Sequence, residues 1–114
     1  MRPSPTEKLI FAKLIAGLPP EAEALVLFGS RARGQATEFS DLDIAVVFCG
    51  DTPYGVRDRD VFELGFETQD EFGDSEFASR IQLLPIYQGD RAKPIWRSIR
   101  DEGIELWNRK SSAS

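Results

Sequence analysis

Leu27-Phe28-Gly29-Ser30-Arg31-Ala32-Arg33-Gly34 and, downstream, Ser40-Asp41-Leu42-Asp43-Ile44-Ala45-Val46-Val47 are the stretches whose reading decides the fold. An apolar run ends in Gly-Ser. Ten residues later come two aspartates one residue apart, entering a second apolar run. Residues 24–28 read as a short buried strand, because they are apolar, partly β-branched and bounded by charge and glycine. Residues 42–48 read as a second strand, with Asp41 at its entrance.

The first half of the pattern suits an anion. Gly29 lets the backbone turn sharply and lets a ligand approach closely. Ser30 is a good N-cap for a short helix through Arg33, with Gly34 as its stop. A strand leading through glycine into a helix start aims free N–H groups and the positive end of the helix dipole at one point. Arg31 and Arg33 add positive charge there. A Gly-Ser pair alone is more often a plain turn.

The second half suits a cation. Residues two apart on a strand point the same way, so Asp41 and Asp43 share a side. Two carboxylates that close repel unless a cation lies between them. An all-oxygen site of this kind fits Mg²⁺, which keeps several waters and binds substrate phosphates. Asp-x-Asp by itself is as readily a solvated strand end, with Asp41 capping a turn. Its spacing from Gly-Ser, with strands on both sides, favours a site that handles a nucleoside triphosphate.

Gly29-Ser30, ten residues, then Asp41-x-Asp43 resembles the Gly-Ser-x10-Asp-x-Asp motif of minimal nucleotidyltransferases in the DNA polymerase β superfamily. The late segment from Ile99 to Trp107 is similar to the closing helix and strand of these small proteins. The resemblance spans most of the chain, from Ala24 to Trp107. It implies an α/β fold with a small mixed sheet and helices packed against it, the polymerase β-like palm fold, and transfer of a nucleoside monophosphate, AMP from ATP above all, to a hydroxyl of a protein or small molecule. It also implies that Gly29 and Ser30 hold the β,γ-phosphates and that Asp41 and Asp43 hold Mg²⁺. Proteins of this kind are often paired with a helical HEPN protein, as antitoxin to toxin, which makes a HEPN-type partner and a homo- or hetero-oligomer the expected assemblies.

One departure matters. The family expects a third carboxylate on a later strand. The matching segment is Ser79-Arg80-Ile81-Gln82-Leu83-Leu84-Pro85-Ile86, with Gln82 where that Asp is looked for. An amide is a poorer ligand and cannot act as a base. In two-metal phosphoryl transfer one ion clamps the leaving phosphates and the other activates the attacking hydroxyl. Binding of a metal–nucleotide complex is therefore expected to survive, and acceptor activation is the step put in question. Asp70, Glu71, Asp74 and Glu76 could substitute or could form a solvated acidic stretch. The alternative function is a catalytically weakened nucleotide-binding module that docks a partner.

With 114 residues and no long linker, one domain over residues 1–110 is expected, followed by a disordered tail at 111–114. The net charge of −5 and pI of about 4.7 lack the basic face of a protein that grips nucleic acid. No apolar stretch is long enough to span a membrane, and no signal-peptide core stands at the start, so a cytoplasmic location is expected. With no histidine in the chain, His-based catalysis and His-ligated zinc are excluded. Cys49, lacking a histidine to activate it, reads as a small packed residue.

The remainder reads as scaffold. Ser4-Pro5-Thr6-Glu7 is a capping box with proline at the first helical position. Phe11, Leu14, Ile15 and Leu18 then mark one apolar face. A second helix is expected over 54–72, with Phe62 and Phe66 on its apolar face beside Val61 and Leu64. A third strand is expected over 80–86, where Pro85 argues for an edge. A third helix over 94–102 should turn Ile95 and Ile99 inward and stop at Gly103. Most aromatic residues should be core, with Trp96 and Trp107 the candidates for an interface.

Overall fold

A computed structural model describes residues 4–34, 41–72 and 80–112. Helix α1 (Pro5–Gly17) starts at the expected capping box. The Ser4 hydroxyl accepts from the Glu7 N–H and the Glu7 carboxylate accepts from the Ser4 N–H, each at 3.1 Å. These bonds satisfy donors that a helix start would otherwise leave unpaired. The helix buries Ile10, Phe11 and Leu14, with Ile15 and Leu18 packed at the margin of the core.

Strands β1 (Ala22–Phe28) and β2 (Leu42–Phe48) follow, then α2 (Asp58–Phe72) and β3 (Ile81–Ile86). A 3-10 turn (Gln88–Ala92), α3 (Pro94–Glu102), β4 (Ile104–Asn108) and a single terminal turn, α4 (Arg109–Ser112), complete the chain. Ser111 and Ser112, expected in the tail, thus continue directly from β4. The sheet order is β3-β2-β1-β4. β1 is antiparallel to both β2 and β4, whereas β2 and β3 are parallel and connected through α2. This is a mixed sheet of the expected kind, and Pro85 lies on its edge strand.

Strand alternation divides the core. Leu25, Leu27, Leu42, Ile44, Val46, Phe48, Ile81 and Leu83 share one cluster with side chains of α1 and α2. Ala24, Ala45, Val47 and Ile86 face the other way and meet Ile99 of α3, with Trp96 packed alongside. Asp43 and Gln82 belong to this second face by the same period of two.

Two helices present faces other than those expected. In α2 the buried residues are Val61, Leu64, Gly65 and Thr68, and Phe62 and Phe66 are exposed by 47% and 75%. Gly65 lies against Leu83 of β3, where even a Cβ would make only ordinary van der Waals contact, so the side that meets the sheet runs through Val61, Leu64, Gly65 and Thr68. Thr68 can be buried because its hydroxyl donates to the Leu64 carbonyl at 2.7 Å. In α3 Ile99 is buried but Ile95 is exposed: the inward side runs through Trp96, Ile99 and Gly103, which leaves Ile95 at its margin. Trp96 and Trp107 are both partly buried against the core.

Candidate nucleotide site

Three strand ends meet at one point of the sheet. β2 and β3, being parallel, both begin there, and β1, being antiparallel, finishes there. The register sets Phe28 opposite Asp43 and Asp43 opposite Gln82. Neighbouring strands lie about 4.8 Å apart, so side chains of opposed residues on one face are within reach of each other.

Gly29, the first residue past β1, has φ +76°. A Cβ placed on it would come within 2.6 Å of Asp43 Oδ2. The glycine therefore meets two needs at once: a backbone conformation that L side chains rarely adopt, and the space that the Asp43 carboxylate fills. Its carbonyl accepts from the Arg33 N–H at 3.2 Å, and Gly34 follows with φ +72°. The helix expected over 30–33 is thus a single turn: its second bond, from the Gly34 N–H to the Arg31 carbonyl at 3.3 Å, is already of the tighter i→i+3 kind, and the left-handed Gly34 ends it.

Asp43 is half-buried, and its pKa lies above the ordinary aspartate value. Burial is the main cause and the Asp41 charge adds to it, while Arg33 acts in the opposite sense. A carboxyl whose pKa is raised by folding contributes stability below its unfolded pKa and loses it as pH rises through the folded value. The ionised Asp43 is therefore a destabilising charge at neutral pH. Asp43→Asn should raise the melting temperature of the metal-free protein at pH 7, and the gain should vanish below the usual carboxylate range. Thermal melts across pH check this. A variant less stable than the parent at pH 7 would show that Asp43 is held by favourable contacts instead.

Asp41 stands exposed just before β2, and its Oδ2 accepts a hydrogen bond from Gln82 Nε2 at 3.2 Å. The amide at the start of β3 thus faces the aspartate pair as a neutral donor. Among the described residues, no group of three His, Cys, Asp or Glu side chains is placed to hold a metal ion. Asp70 is exposed on α2, and Glu71 pairs with Lys13 at 2.8 Å. Asp74 and Glu76 lie outside the described residues.

The arginines divide. Arg31 turns toward α1, 3.6 Å from Glu7 Oε2, and both side chains are largely buried, with 14% and 13% exposed. Glu7 therefore caps its helix with one oxygen and anchors the turn after β1 with the other. Arg33 lies 3.4 Å from Glu102 at the end of α3, and its charge reaches Asp43.

The family model described as polymerase beta, nucleotidyltransferase, matches residues 13–112. The chain belongs to this nucleotidyltransferase family. Solved structures share its fold. A protein from Sulfolobus solfataricus assigned to the nucleotidyltransferases is 23% identical, with a TM-score of 0.57 over 92% of this chain and 79% of that one. A chain from a toxin–antitoxin with AMP-PNP is 19% identical, with a TM-score of 0.61 over 96% and 77%. A third match, to a tri-AMPylated Shewanella oneidensis HEPN toxin in complex with MNT antitoxin, is 19% identical, with a TM-score of 0.57 over 93% and 76%. No curated protein matches the chain. No helix among the described residues is long and apolar enough to cross a membrane.

At the opposite end of the sheet, sequence reasoning missed a polar cluster. The Tyr87 hydroxyl donates to Asp58 and accepts from the Arg57 N–H, both at 2.9 Å, and its ring stacks on Phe48. Asp90 accepts from the Tyr87 N–H and pairs with Lys93 at 2.8 Å. Tyr87 and Asp90 stand three apart, but the partners Asp58 and Phe48 come from distant sequence that no local pattern connects. The cluster fastens the start of α2 to the end of β3.

Proposed function

We propose that this chain is a Mg²⁺-dependent nucleotidyltransferase that moves AMP from ATP to a hydroxyl on a protein acceptor, with a HEPN-type protein as the partner. The observation that carries the reading is the contact of Gly29 with Asp43. It joins the two halves of the motif, so that the turn meant for phosphates and the carboxylate meant for a metal adjoin the same few ångströms. The donor set fits a hard divalent ion: two carboxylates, one of them carrying an unfavourable charge that a cation would relieve. When bound, Mg²⁺ would neutralise the triphosphate and the leaving pyrophosphate. Gly29 and Ser30, with Arg33 nearby, would receive the phosphates, and Arg31 would brace the turn through Glu7. In the transfer the acceptor oxygen bonds to the α-phosphorus, the bond to pyrophosphate breaks, pyrophosphate leaves, and the hydroxyl proton passes to solvent water.

The neutral Gln82 favours a second reading, in which the chain binds nucleotide and docks a partner but transfers slowly. Both readings require triphosphate binding. Calorimetry with ATP, GTP, CTP and UTP should detect binding with Mg²⁺ and little without it. Absence of binding by all of them would remove the site assignment.

A further inference from the structure

A groove of about 550 Å³ runs between α2 and the free edge of β3. Phe62, Gly65, Phe66 and Gln69 form one wall and Arg80–Leu83 the other. The helix residues fall at i, i+3, i+4 and i+7, so they make one continuous stripe. Two large aromatic rings standing this far into water, beside a depression that Gly65 deepens, are a surface to be covered.

The strand wall decides what can cover it. Along β3, alternate residues turn their backbone groups away from β2. The Arg80 carbonyl accepts from the Leu42 N–H, so Ile81, Leu83 and Pro85 are the outward ones. The outward N–H of Ile81 already donates to the Gln69 side chain, and Pro85 has none to offer. An added strand would find two of these three donors missing, which blunts the edge. The groove must therefore be filled by side chains, as a helix supplies them.

Charge narrows the partner further. α2 carries six acidic residues against one basic, Glu63 and Asp70 flank Phe66 on the helix wall, and the strand wall carries Arg80. A second copy of this chain, with a pI of about 4.7, would set acid against acid. We infer that the groove docks an amphipathic helix of a partner protein, apolar along one face and basic along the flank that meets α2. The inference rests on the reading of a protein acceptor, but docking is measured without any transfer, so the two can fail separately.

The probe is a synthetic helical peptide with leucines at i, i+3, i+4 and i+7 and lysines elsewhere, labelled for fluorescence anisotropy. The parent should bind it at least ~10-fold more tightly than Phe62→Ser/Phe66→Ser does, the usual scale for losing interface anchors. Glutamate in place of the lysines should weaken the peptide by a similar factor. Binding should perturb backbone amide signals of Gly65, Gln69 and Leu83. Asp43→Asn should bind the peptide like the parent, which separates the groove from the nucleotide site. Phe66→Ser alone serves if the double variant fails to fold. No binding by the parent, equal binding by the serine variant, or signal changes confined to other faces would overturn the proposal. So would loss of Mg²⁺-ATP binding in the serine variant, which would make the groove a nucleobase pocket.

Discussion

Gln82→Asp should raise AMP transfer by ~10²–10⁴-fold, the usual worth of one well-placed acid–base group. Gln82 is the register partner of Asp43 and already donates to Asp41, so a carboxylate at this position would adjoin both acids of the pair. Triphosphate affinity should change less, because the phosphate turn and the aspartate pair are untouched. The new charge would also crowd Asp41 and Asp43, so the metal-free variant should melt at a lower temperature than the parent and recover with Mg²⁺. Aspartate is one methylene shorter than glutamine and draws the carboxylate back toward the strand. Gln82→Glu, which keeps the length, tests whether reach limits the gain. The measurement is transfer of radiolabelled AMP to a co-expressed partner protein at matched Mg²⁺. A robustly active parent left unchanged by both substitutions would show that the chemistry never lacked a third carboxylate.

Gly29→Ala should lower Mg²⁺-ATP affinity by at least ~10-fold, and Gly29→Val by more, for a reason beyond backbone strain. A non-glycine residue at positive φ costs about 1–3 kcal/mol in any setting. Gly34 provides the control. Its φ of +72° matches the +76° of Gly29, but a Cβ there would meet nothing within 4 Å among the described residues, whereas at Gly29 it would meet Asp43. Gly34→Ala should thus lose stability and keep affinity, while Gly29→Ala loses both. Thermal melts and calorimetry on the same pair of variants read the two quantities separately. Equal affinities would mean that Asp43 can move aside at no cost and that the turn is structural only.

Much of this was legible in the chain itself because the signals are local. The capping box at Ser4 and Glu7, the apolar run from Leu42 to Phe48 and the stop at Gly103 each depend on residues a few positions apart, and each appears where expected. The orientation of α2 was not legible. Phe62 and Phe66 at i and i+4 imitate a core stripe, whereas the buried stripe includes Gly65 and Thr68, which no hydrophobic pattern marks. Burial there depends on how closely the backbone approaches Leu83, a contact across eighteen residues of chain. The site divides in the same way. Spacing marks Gly29, Asp41 and Asp43, the family resemblance marks Gln82, and the sheet register brings the four to one end of the sheet. That Arg31 turns to Glu7 rather than standing with Arg33 could not, because the pairing joins the turn after β1 to the start of α1.

The contact between Gly29 and Asp43 also has a genealogical side. Two positions that share one small space are not free to change independently, and the effects of altering them should not add. Once a descendant of this chain lost the carboxylate at position 43, the steric half of the demand for glycine at position 29 would disappear and only the conformational half would remain. Substitution at 43 would thus open a path to substitution at 29 that the reverse order does not offer. Among decaying copies of such a gene, loss of the aspartate should come first, and a glycine left beside a vanished acid would be the trace of that sequence of events.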